Sequence, residues 1–139
     1  MNINNVQEEI GATIVAADAG IRVTPWDADS VNPPAVLFEL PEEYDFDLTY
    51  GRGSDEFTLP IVLLLGKTDA RSARKALGAY LDGSGPKSLK AIVDSSNTNT
   101  YVTCDTVKVR KASDIGPYRV GSILYLGATF ETRITGPGS

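Results

Sequence analysis

Hydrophobic residues recur along this chain with two periods, and those periods predict its elements. Ile3, Val6, Ile10, Ile14 and Ala17 are spaced by three and four, which places them on one face of an amphipathic helix. Asn2 or Asn4 can cap that helix, and Gly20 stands where its C-terminal stop is expected. Residues 21–23 are a candidate short strand. A polar connection follows and closes on Asn32-Pro33-Pro34, because prolines do not sit inside a sheet. Residues 35–40 read as a strand closed by Pro41. Phe46, Leu48 and Tyr50 then alternate with Asp45, Asp47 and Thr49, the period of a half-buried strand. Gly51-Arg52-Gly53-Ser54-Asp55 predicts a turn, and residues 57–65 predict the returning strand, with Pro60 near its start and an unbroken apolar run over 61–65. These segments together predict a long β-hairpin. Its glycine-rich tip has little to bury and is expected to be mobile in the isolated subunit.

The second half alternates the same two signals. Thr68 or Asp69 is a candidate N-cap for a helix that buries Ala70, Ala73, Leu77, Tyr80 and Leu81 and keeps Arg71, Arg74 and Lys75 on its wet face. Gly83 ends it. Pro86 fits the first turn of a short third helix with Leu89, Ile92 and Val93 inward. Residues 95–100 predict a polar loop, and residues 101–104 and 106–110 predict strands, the latter with Val107 and Val109 on one face. Residues 113–121 predict a loop around Gly116-Pro117. The last strand is expected over 123–134, with Leu124, Leu126, Ala128 and Phe130 on one face, and residues 135–139 are expected to fray. No repeat with a period of 20 to 50 residues is present. The order predicts one α+β domain over residues 1–139, with helices on one face of a mainly antiparallel sheet.

Composition narrows the class. At 139 residues the chain can bury one core without metals or disulfides. Cys104 is the only cysteine, so no internal bridge can form, which fits a reducing cytoplasm. The first ten residues combine neither a basic start nor an apolar run, so no secretory leader is expected, and no stretch has the apolar length of a membrane span. The net charge of −5 argues against non-specific nucleic-acid binding by the whole surface. Its distribution says more: residues 27–56 carry nine acids and one base, and residues 67–111 carry nine bases and four acids. Such a split suits head-to-tail association between copies, although two solvated faces that merely differ would look the same in sequence.

Candidate chemistry is sparse. The chain has no histidine, which removes the commonest general base and metal ligand together. Cys104 falls in a strand-like stretch, the setting of a buried inert thiol. Zinc is not expected from one cysteine alone. Asp45, Asp47, Thr49 and Glu56 occupy positions 1, 3, 5 and 12 of a calcium-loop template, but Tyr50 stands where that loop needs glycine. Glu42-Glu43, Asp45-Asp47 and Asp55-Glu56 pair carboxylates as glycosidases do, and an acidic exposed hairpin explains them equally well. Gly83-Ser84-Gly85-Pro86-Lys87-Ser88 follows a helix rather than a strand and lacks phosphate-loop spacing, so it reads as a helix-to-helix turn. Trp26, beside a proline, reads first as a core plug and second as an interface anchor. The expectation is a protein without catalysis, bound metal or cofactor.

Three stretches carry a family resemblance: LPIVLLLGKTDARSARKAL at residues 59–77, YLDGSGPKSLKAIVD at 80–94 and YRVGSILYLGATFETRI at 118–134. With the N-terminal helix and the Asn-Pro-Pro-Ala approach to the first long strand, their order resembles the tail-terminator proteins of long-tailed bacteriophages. The resemblance covers most of the chain as a pattern. It implies a small α+β virion subunit of the tail and neck, assembled in the host cytoplasm into a ring, usually of six. Such a ring caps the tail tube and meets the head-side connector or stopper protein, while DNA passes through its lumen without sequence-specific binding and no membrane is involved. Other neck or tail-tube proteins, and less closely a small ligand-binding module, remain alternatives. Candidate oligomer contacts are Asp45, Asp47, Arg52, Asp55 and Glu56 of the hairpin, and Arg71, Arg74 and Lys75 of the second helix.

Overall fold

The computed structural model describes residues 2–17, 21–23, 34–46, 53–67, 71–84, 88–94 and 101–137. Helix α1 (Ile3–Ala17) opens on Asn2, whose Oδ1 accepts the Asn5 N–H at 3.2 Å. Val6, Ile10 and Ile14 are fully buried and Ile3 partly so, as their spacing requires, whereas Ala17 in the last turn is exposed. Strands β1 (Arg22–Val23), β2 (Ala35–Phe38), β3 (Tyr44–Asp45) and β4 (Ser54–Lys67) follow. Helices α2 (Arg71–Leu81) and α3 (Leu89–Val93) come next, then strands β5 (Thr106–Val120) and β6 (Ile123–Pro137). The strands form one six-stranded sheet in the order β1-β2-β4-β6-β5, with β3 beside β4. Only β1 and β2 run parallel; every other pair is antiparallel. The fold is α+β.

Strand β4 is the spine, and its composition explains why. Residues 61–65 are buried without a break, because both faces of the strand are covered. Leu59, Ile61, Leu63 and Leu65 join Val36, Val107, Val109, Ala128, Phe130 and Ile134 in the main core, which all three helices cover. Val62 and Leu64 point the other way, to a small cluster with Ala35, Leu37 and Tyr125. Each fully buried leucine or isoleucine contributes about 1.5–3 kcal/mol. Pro60 is tolerated inside this strand because its edge partner is interrupted there. Strand β2 ends opposite Ile61 and β3 begins opposite Phe57, and in the gap the Pro60 carbonyl accepts the Glu39 N–H at 3.1 Å.

The long hairpin lies elsewhere than expected. Tyr44 and Asp45 do pair with Phe57 and Glu56, but the described part of that hairpin is two rungs, and residues 47–52 lie outside the described residues. Ser54 and Asp55, expected in its turn, are the first residues of β4 and pair with Pro137 and Gly136. The long hairpin is β5–β6, and it absorbs residues 113–120, expected as a loop. Two irregularities, at Val109/Lys111 and Ser113/Gly116, let a sequence with Gly116-Pro117 stay in the ladder. Asp114 there has φ 51°, a conformation that aspartate adopts more readily than most residues. The tail expected to fray is paired as far as Pro137 because two strands flank it: Thr135 faces Glu56 on one side and Thr106 on the other.

Three smaller departures have local causes. Residues 101–104 form bends rather than a strand, because the Glu9 carboxylate accepts the Val102 and Thr103 N–H groups that a ladder would otherwise satisfy. Helix α3 is capped by Ser88, which accepts the Ala91 N–H, so its first turn begins at Leu89, and Pro86, expected in that turn, lies outside the described residues. A Cβ on Gly127 would stand 2.2 Å from the Leu63 carbonyl oxygen. Strands β4 and β6 therefore meet more closely here than any side chain allows, beside the irregularity between Leu64 and Gly66. Tyr118 lies against this glycine and shares a 2.6 Å hydrogen bond with the Thr129 hydroxyl.

Candidate interaction surface

The helices occupy one face of the sheet, and the polar half of the other face carries the most concentrated charge. Side chains alternate along a strand, so the residues between the core positions of β4 and β6 share this outer face. Glu56, Thr58 and Pro60 of β4, Thr129 and Glu131 of β6, and Ser113 and Asp114 of β5 line a cleft of about 470 Å³. The chain between β2 and β3 closes its side with Glu39, Leu40, Glu42 and Glu43, followed by Asp45. Seven carboxylates therefore line one concavity, and among the described residues no basic side chain joins them in its lining. Two cations stand at its margin: Arg133 Nε lies 3.2 Å from Glu56, and Lys111 Nζ lies 3.5 Å from Glu131. Leu40 on the rim is 74% exposed and nearby Phe46 is 65% exposed. Among the described residues, no group of acidic or cysteine side chains has the arrangement of a metal site.

Strand β5 bounds the sheet on the far side and carries the opposite sign. Lys108, Arg110, Lys111 and Arg119 are exposed along it, and Lys108 stands directly opposite Arg133 in the ladder. The edge has two unlike halves. At Val109 the end of α3 replaces a neighbouring strand: Asp94 accepts the Val109 N–H at 3.3 Å, Lys90 Nζ donates to the Val109 carbonyl at 3.1 Å, and Lys90 and Asp94 pair at 2.8 Å. Over residues 110–120, no group among the described residues pairs with the outward backbone.

The expected contact residues divide accordingly. Asp45 and Glu56 face one another across β3 and β4 and lie in the cleft. Asp55 must be corrected: it is 1% exposed, turned to the helix side, and accepts the Tyr44 hydroxyl at 3.1 Å. Its neighbour in sequence, Glu56, takes the outer face, as alternation demands. Asp47 and Arg52 lie outside the described residues. Arg71, Arg74 and Lys75 are exposed on α2, on the opposite side of the sheet from the cleft. Sequence reading missed Asp114 and Glu131, which reach the cleft only through strand pairing. It also missed Lys108 and Arg110, although their alternation with Val107 and Val109 was a usable signal.

Cys104 is buried, and burial together with the nearby Glu9 charge pushes its thiol up to about 11, so it is protonated at neutral pH. No described helix is long and apolar enough to cross a membrane. No protein-family model and no curated protein matches the chain.

Proposed function

We propose that the protein is a structural subunit of a long-tailed bacteriophage neck. It forms a homo-oligomeric ring, six subunits around, that caps the tail tube and joins it to the head-side connector. It acts by assembly and not by catalysis, and DNA passes through the lumen without sequence-specific contact. The resemblance of residues 59–77, 80–94 and 118–134 to tail terminators motivates the reading. The observation that carries it is the placement of charge. The carboxylate-lined cleft crosses the outer face from the β2–β3 chain as far as Ser113 and Asp114, and the exposed cations of β5 lie along its far edge. A closed ring needs two unlike, complementary surfaces on each subunit, and this arrangement supplies them.

Native mass spectrometry and negative-stain imaging of the purified chain at low salt test the reading. A single species at six times the chain mass with ring-shaped particles supports it, and a monomer over the whole accessible concentration range counts against it. The cleft gives a second reading, a small module for a polycationic ligand, one observation in its favour. A thermal shift with spermine and no self-association would favour that reading instead.

A further inference from the structure

Among the described residues, β1 and the open part of β5 bound the β1-β2-β4-β6-β5 path of the sheet, and their contents are complementary near one level. Arg22 of β1 is joined through Ala35, Leu64 and Gly127 to Gly116 of β5. Val23 is joined through Val36 and Leu63 to Ala128, which faces the bulge formed by Asp114 and Ile115. In one direction the short edge carries Arg22 and then Val23, and the long edge carries Gly116 and then Ile115 and Asp114, so the two apolar residues stand at the same height and the anion lies one step beyond them. Both apolar side chains are partly exposed, Val23 at 40%, beside Gly11 of α1, and Ile115 at 53%. Further along, Glu39 sits at the level of Pro60, whose row continues through Glu131 to Lys111, so Glu39 on one side stands level with Lys111 on the other.

Strand direction matches as well. Strand β1 is parallel to β2, and three antiparallel steps lead from β2 to β5, so β1 and β5 run in opposite senses. A copy displaced sideways in the same orientation, as a ring demands, would lay its β1 antiparallel to β5. Two-fold pairing of this open stretch with itself would instead centre on Ile115 and set Lys111 against Arg119 of the copy. Resting on the ring reading above, we infer that neighbouring copies join by continuing the sheet, with the open stretch of β5 around Ile115 pairing with Arg22 and Val23 of β1 of the next subunit. Ile115 packs on Val23, Gly116 faces Arg22 with Asp114 diagonal to it, and Lys111 approaches Glu39. The Lys90–Asp94 cap at Val109 stops the pairing from running further along β5. The basic face of α2 plays no part in this seam.

Cysteine cross-linking tests the inference, because facing residues in an antiparallel pair lie within disulfide reach. Val23→Cys and Ile115→Cys both alter exposed side chains, and Cys104 is buried. Under diamide, neither variant alone should cross-link, their mixture should yield a covalent dimer, and the double variant should yield a ladder of multiples of the chain mass. Self-linking of either single variant would reveal a two-fold contact and overturn the inference. No cross-link in the mixture, with native mass still showing a ring, would place the seam elsewhere and leave the ring reading standing. Neither cross-link nor oligomer would reject both.

Discussion

Thr132 occupies a core position on β6 between Val109 and Leu59, and its hydroxyl is buried without a hydrogen-bond partner among the described residues. A buried hydroxyl without a partner costs about 1–3 kcal/mol. Thr132→Val keeps the shape and removes that cost, so the variant should gain about 1 kcal/mol, read as a higher urea midpoint at unchanged slope. Asp55 and Glu56 show the opposite economy one strand away. Adjacent acids point to opposite faces, so Asp55 is held by the Tyr44 hydroxyl and Glu56 by Arg133.

At the scale of elements, two polar clasps join segments that sequence periodicity treats as separate. The first is Asp94, which closes α3 and caps the edge of β5. Asp94→Ala leaves the Val109 N–H without its acceptor in a buried setting, and should cost about 2 kcal/mol in chemical denaturation. The second is Glu9 of α1, which holds residues 102–103 by accepting from three donors, the Thr103 hydroxyl and the Val102 and Thr103 N–H groups. Burial pushes the Glu9 carboxyl up, but those bonds outweigh it and leave the group below its ordinary value. A carboxyl lowered by folding stabilises the fold above its unfolded value and loses that contribution as pH falls through its folded value. The stability difference between wild type and Glu9→Gln should therefore be constant above about pH 5 and shrink below about pH 4. Urea titrations across that range measure it directly.

At the scale of the whole molecule, three sets of charge have distinct places: the acidic cleft on the outer face, the basic β5 at one edge, and the basic α2 on the helix side. Exposed charges are screened over about 10 Å in 0.1 M salt and about 3 Å in 1 M, so association guided by them should slow as salt rises. Arg110→Glu/Lys111→Glu should slow assembly at low salt by about tenfold, in light-scattering kinetics. Arg71→Glu/Arg74→Glu, on the helix side, should assemble at the wild-type rate and fold normally. The reverse result would move the seam from the sheet edge to α2.

Periodicity by itself determined what local physics controls. The spacing of Val6, Ile10 and Ile14 made α1, that of Ala73, Leu77 and Tyr80 made α2, and the unbroken run over 61–65 made a strand buried on both faces. The α+β class follows from the order of these signals. Only the tertiary structure decided the rest. Residues 113–120 and 135–137 carry weak strand signals, with glycine and proline among them, yet both are paired because a neighbouring strand satisfies their backbone. Residues 101–104 carry a stronger strand signal and form bends, because Glu9 of a distant helix takes their N–H groups instead. The cleft was legible only in part. Glu42, Glu43, Asp45 and Glu56 stand out as an acidic segment, but Asp114 and Glu131 join them by register, and Asp55 leaves them by alternation. A sequence states each residue's preference, but partners far along the chain supply the hydrogen bonds and neighbouring charges that settle which preference prevails.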